Sequence, residues 1–178
     1  GYRVARSWEK AGALPSGKTL VVAAPGNLPP PSKRGDVFRQ AAVKALETLS
    51  RNPNGFFLMI EGSNIDKAAH SNNLEEMMEE LLDFDRTAGA VLDWASKHPG
   101  TLVVITADHN TGAFALTGGS REQGEITGRF GSGSHDGVAV PVYAFGAGSG
   151  DFTGIYENTD IFNKIMNALK KGADKPVR

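Results

Sequence analysis

The sequence predicts an α/β fold, a largely parallel sheet flanked by helices on both faces. Short apolar runs at Leu20–Ala24, Phe56–Ile60, Thr101–Thr106 and Val138–Phe145 alternate with helix-length segments, the order that builds strand–helix–strand units. Phe56–Ile60 is apolar at every position, the pattern of a strand covered on both sides. The length of 178 residues, with 40% hydrophobic and 22% charged residues, suits one domain with a real core. No internal repeat or domain boundary interrupts it.

Residues 2–14 read as weakly helical, and Leu20–Ala24 follows as a short strand. Pro25 to Gly35 is rich in Pro and Gly and reads as a loop. Asp36 is placed to cap a helix running to about Arg51, with Val37, Ala41, Leu46 and Leu49 near helical spacing and Asn52-Pro53-Asn54-Gly55 as its stop. A long helix is expected from Leu74 to His98, ended by Pro99-Gly100. The segment 118–137 carries seven glycines and few apolar residues, so a mobile loop or an insertion site is expected there. Asn158 or Thr159 caps a last helix to about Lys171.

Composition excludes several functions. A net charge of −1 and the absence of any basic arm argue against nucleic acid or anionic membranes as partners. No segment approaches the roughly 20 apolar residues of a membrane span. The first residues, Gly-Tyr-Arg-Val-Ala-Arg-Ser-Trp, lack the apolar core of a signal peptide. With no cysteine, any metal site must use histidine and carboxylates, which suits hard or borderline cations.

Three islands carry chemistry. Glu61 closes an apolar run, where a charge is costly unless paired or metal-bound. Asp66 and His70 follow four apart, and share one face if the turn after Ile65 is helical. Asp108-His109 comes at the carboxyl end of the Thr101–Thr106 strand, where α/β proteins collect ligands. His135 lies in the Gly/Ser segment 131–137. Alone, the first two islands read equally as a surface carboxylate or a polar loop, and a lone histidine such as His135 is more often solvated than functional. His98, before Pro99, suits a helix C-terminus instead. Gly12-Ala13-Leu14-Pro15-Ser16-Gly17-Lys18-Thr19 formally matches a phosphate-binding loop, but a strand and a proline follow where that loop requires a helix.

In order and context, the islands resemble the C-terminal half of bacterial alkaline phosphatases, metal-dependent phosphomonoesterases. Glu61-Gly-Ser-Asn-Ile-Asp-Lys-Ala-Ala-His70 is similar to that family's strand-end segment, Thr106-Ala-Asp-His109 to its second, and Ser134-His-Asp-Gly137 to the one with its last histidine. Gly55-Phe-Phe-Leu-Met59, Asp85-Arg86 and Asn158-Thr-Asp-Ile-Phe162 fit the same frame. The resemblance implies that residues 1–178 are the C-terminal part of a single alkaline phosphatase-like domain. It implies two Zn2+ and one Mg2+: Asp66, His70 and His135 for the first zinc, Asp108 and His109 for the second, Glu61 for magnesium. Lys67 resembles a lysine that touches phosphate through water. The implied reaction is a double displacement on phosphate monoesters through a phosphoserine, with inorganic phosphate as product. A homodimer with a periplasmic or secreted location is implied too.

The departures are plain. The family's Asp-Ser-Ala segment with the nucleophilic serine, an N-terminal metal-binding Asp, a magnesium-site Thr and a phosphate-binding Arg would all precede residue 1. No catalytic nucleophile is therefore expected in this chain, its partner would be the N-terminal half of the same protein, and the chain alone is expected to be inactive. Two alternatives stand beside this reading. One is a related two-metal phosphodiesterase, sulfatase or phosphoglycerate mutase, against which Glu61 speaks. The other is a non-catalytic metal-binding domain.

Overall fold

A computed structural model describes residues 1–11 and 17–173. The chain opens with β1 (Arg3–Ala5), α1 (Trp8–Ala11) and β2 (Thr19–Val21). β1 and β2 pair in parallel, Arg3 against Thr19 and Ala5 against Val21. The helix expected over 2–14 is thus cut to four residues, because Arg3–Ala5 gains a ladder instead; residues 12–14 lie outside the described residues. Of the phosphate-loop lookalike, residues 12–16 lie outside them as well, and its Thr19 opens a strand rather than a helix.

Within the proline-rich stretch expected as a loop, α2 (Pro31–Arg34) forms one turn, started by a proline whose fixed φ suits a first helical position. α3 (Val37–Leu49), α4 (Asn64–His70) and α5 (Leu74–Ser96) follow. Asp36 stands at the α3 N-cap position but makes no cap hydrogen bond; its carboxylate is taken by Arg39. Asn73 does cap α5, its side chain accepting the Glu76 N–H at 3.1 Å.

The second half carries β3 (Leu102–Thr106), β4 (Asn110–Thr111), β5 (Ala115–Ser120), β6 (Glu125–Arg129), β7 (His135–Asp136), β8 (Val142–Gly146), a 3-10 turn (Ser149–Phe152) and α6 (Asp160–Ala173). Among the described residues only β1–β2 pair in parallel; β3–β8, β4–β7 and β5–β6 are antiparallel. The glycine-rich segment expected as a loop holds the β5–β6 hairpin and β7. Its glycines permit close pairing: a Cβ on Gly119, at φ +144, would sit 2.3 Å from the Glu125 carbonyl oxygen.

Phe56–Ile60 has no ladder partner among the described residues. Its exposure alternates, with Phe57 at 61% and Met59 at 73% while Phe56, Leu58 and Ile60 are half-buried. One side packs on α5, where Phe56 meets Trp94 edge-on at 6.1 Å. The expected two-sided burial fails, since Phe57 and Met59 stay exposed.

Two devices hold the centre. Ala68, Ala69 and Met77 are buried together, flanked by Ile65, Leu74, Phe114 and Phe130, which fixes α4 on α5 and on the start of the hairpin. Beside them, Arg34 donates to Glu80 at 2.8 and 2.7 Å and to Asp83 at 3.2 and 2.7 Å, all three side chains at most 5% exposed. Burial opposes the guanidinium charge, but the hydrogen bonds and charges of Glu80 and Asp83 more than offset it and raise the Arg34 pKa. Removing the arginine leaves two buried carboxylates uncompensated. Arg34→Met is expected to lower stability by about 3–5 kcal/mol in urea unfolding, with the loss reduced when Glu80 and Asp83 are replaced together with it.

Candidate metal centre

α4 delivers the first two site residues. The turn after Ile65 is helical, so Asp66 and His70 fall on one face, with Asp66 Oδ2 and His70 Nε2 3.4 Å apart. β7 delivers the third: His135 Nε2 is 3.0 Å from His70 Nε2 and 3.5 Å from Asp66 Oδ1. One ligand atom from each of the three lies within 4.8 Å of the others.

The hydrogen bonds define what these atoms can do. His70 Nδ1 is 2.8 Å from the Gly133 carbonyl oxygen, which can only accept, so Nδ1 carries the proton and Nε2 of the neutral ring is bare. That bare nitrogen faces a carboxylate and a second imidazole. The lone pairs of Asp66 and His70 thus converge with His135 Nε2, and the neutral imidazole pair offers at most one N–H to the space between them. A cation satisfies all three at once, and two histidines with one carboxylate suit zinc in particular.

Asp108 and His109 stand after β3, and the His109 ring stacks on the His135 ring at 3.5 Å. His109 Nε2 lies 3.2 Å from Asp108 Oδ2. The second island is therefore brought against the first. Glu61 is not: it is exposed and makes no side-chain hydrogen bond or ion pair among the described residues. The Lys67 ammonium is held by the side-chain oxygen of Asn27 and stands 3.5 Å from Asn64 Oδ1. His98 stays apart, its Nδ1 bonded to the Trp94 carbonyl at 2.7 Å and its ring stacked on Trp94.

Four residues that sequence reasoning passed over support the site. Thr111 is buried, and its Oγ1 lies 2.6 Å from Asp66 Oδ1. Asn110 and Asp136 join β4 to β7 through bonds of 3.2 and 2.9 Å, fixing His135 beside Thr111. Gly112 takes φ +79, and a Cβ there would meet Phe130 Cδ1 at 2.8 Å and the Ala69 carbonyl at 3.1 Å. The only hint of these roles in the sequence was nearness to Asp108-His109 and His135.

This arrangement, helix and strand ends of an α/β fold converging two histidines and a carboxylate, is a candidate metal site. The family model for alkaline phosphatase matches residues 27–128, and the chain belongs to the alkaline phosphatase family. It is 33% identical to alkaline phosphatase H of Pseudomonas aeruginosa over 78% of this chain and 33% of that one. It is 29% identical to alkaline phosphatase 4 of Bacillus subtilis over 75% of this chain and 44% of that one. The alkaline phosphatase of the Antarctic bacterium TAB5 superposes with a TM-score of 0.79 at 33% identity, covering 95% of this chain and 52% of that one. A substituted form of it, described with Mg bound in its M3 site, gives 0.83 over the same coverage. The chain thus spans less than half the length of these curated relatives and about half of the solved enzyme. It is part of a domain.

Gly112 makes the packing testable. Gly112→Ala adds a clash and an unfavourable φ, and is expected to cost about 1–3 kcal/mol. Thermal unfolding measures the loss, and displaced His70 and His135 ring signals in NMR report that α4 has moved off β4.

Proposed function

We propose that this chain carries the metal-ligand set of a zinc- and magnesium-dependent phosphate monoester hydrolase that works through a phosphoserine, the serine lying upstream. The observation that carries this reading is the convergence of Asp66, His70 and His135 within 4.8 Å, in a chain of the alkaline phosphatase family. Asp66, His70 and His135 hold the first zinc, Asp108 and His109 contribute to the second, and Glu61 ligates magnesium. In support, the bare Nε2 of His70 and the lone pairs of Asp66 point into one space, and the His109 ring lies against His135.

Bound there, the metals supply Lewis-acid charge at the phosphate oxygens and lower the pKa of the attacking oxygen. This chain's own residues do the holding. Gly133 orients His70, Asn110 and Asp136 hold β7 in place, and Asn27 and Asn64 hold the Lys67 ammonium that reaches phosphate through water. Monoesters are the substrates and inorganic phosphate the product. By the same reading the full protein is exported, periplasmic or secreted, and pairs as a homodimer. Among the described residues no helix is long and apolar enough to cross a membrane.

Zn2+ in 100-fold excess over its dissociation constant is expected to stabilise the chain by about 2.7 kcal/mol, reversed by a chelator. His70→Ala is expected to lose that gain in calorimetry, and an unchanged gain would overturn the ligand assignment. On p-nitrophenyl phosphate, the chain alone is expected to turn over no faster than a metal-matched blank, whereas the full-length parent hydrolyses it. Zinc-dependent turnover by the isolated chain would show that the nucleophile lies within these residues.

A further inference from the structure

The structure assigns Thr111 a positioning role that none of the metal ligands performs: one hydroxyl ties the first candidate site to the second and sets which nitrogen of His109 is available. This inference rests on the ligand reading given above.

The geometry is specific. Thr111 Oγ1 is 2.6 Å from Asp66 Oδ1 and 3.1 Å from His109 Nδ1. In the β4–β7 ladder Thr111 is also the direct partner of His135. One buried residue, 9% exposed, therefore touches or pairs with members of both candidate zinc ligand sets. A threonine hydroxyl has a single proton, and an ionised carboxylate can only accept. The proton goes to Asp66, and the hydroxyl oxygen then accepts from His109 Nδ1–H. Nδ1 being protonated, Nε2 of the neutral ring carries the lone pair, and it faces Asp108 Oδ2 at 3.2 Å. With the ring neutral, both atoms present lone pairs to any cation bound there.

The chain of contacts also restricts Asp66. One carboxylate oxygen is engaged by Thr111, leaving Oδ2 turned toward His70 at 3.4 Å. Burial keeps water from replacing the hydroxyl, so both restraints depend on this one group. A hydroxyl that orients a ligating carboxylate and fixes a ligating histidine's tautomer raises metal affinity by about 10–100-fold in general.

The test uses the 178-residue chain with Zn2+ and Co2+ as probes and two variants, Thr111→Val, which keeps the shape and loses the hydroxyl, and Thr111→Ser, which keeps the hydroxyl. Metal affinity is read by chelator competition and by the visible spectrum of bound Co2+. The His109 tautomer is read in the metal-free protein by long-range proton–nitrogen NMR. Thr111→Val is expected to weaken Zn2+ binding about 10–100-fold, to alter the Co2+ spectrum, and to lose the fixed Nδ1–H signal. Thr111→Ser is expected to restore all three, which a role in packing alone would not do. Unchanged affinity, or an unchanged His109 tautomer, in Thr111→Val overturns the proposal. A wild-type chain that takes up neither metal overturns the ligand reading instead, and the tautomer measurement then decides by itself whether Thr111 governs His109.

Discussion

Everything that gives this chain its chemistry depends on α4 lying flat against α5. Ala68 and Ala69, at 1% and 3% exposure, have no bulk beyond a methyl, so the two helices approach closely around Met77. With Ile65 they form one face of α4, spaced i, i+3, i+4. Asp66 and His70, at i and i+4, form a second face turned to β4 and β7. Asn64 and Lys67 form a third, facing Leu28, Glu80 and Asn27. A helix of seven residues thus packs, carries candidate ligands and anchors at once. A larger side chain at position 68 or 69 would push the second face away from His135.

The anchor on the third face reaches into the buried charges. Asn64 Nδ2 donates to Glu80 Oε1 at 3.2 Å, and that carboxylate is also gripped by Arg34. The Asn64 amide is thereby oriented with its oxygen toward Lys67. Buried ion pairs add little net stability, because desolvation consumes most of the Coulomb gain. Their use here is orientation: Arg34 from α2 matches the carboxylates of α5 in one planar geometry, and Asn64 reads that geometry out to α4. The buried side of α5 correspondingly contains Glu80, Asp83 and Thr87, with the Thr87 hydroxyl bonded to the Asp83 carbonyl at 2.9 Å.

Such a design explains which features could be read from residue order. The α3, α5 and α6 helices follow from periodicity, which is local, and their bounds differ from expectation by a few residues. Asp66, His70, Asp108, His109 and His135 could be singled out as candidates because their residue types are those of metal ligands and their motifs resemble a known family's. Thr111 was not, since a threonine after Asp-His-Asn has no chemical signature until Asp66, 45 positions earlier, is folded against it. Arg34 was hidden for the same reason, its partners being 46 and 49 residues away. Phe56–Ile60 misled in the opposite direction. Its apolar pattern predicts cover on two sides, whereas Phe56 packs on Trp94 of α5 and Phe57 and Met59 are exposed.

A partial domain with an assembled ligand cluster raises a question of stability. Holding three polar side chains this close costs conformational freedom, and structural compensation has to come from elsewhere. The compensation is visible close by. Asn110 and Asp136 lock β4 to β7, Gly112 accepts from Gly131 and Ser132 at 2.9 and 3.1 Å, and Gly112 donates to Ser134 at 3.0 Å. These bonds hold the strand that carries His135, whose Nε2 faces His70 and Asp66. His70 divides its ring, with Nδ1 given to Gly133 and Nε2 kept for the site. Because the scaffold rather than the ligand atoms supplies the restraint, the cluster persists in a chain that spans about half of the solved enzyme it resembles.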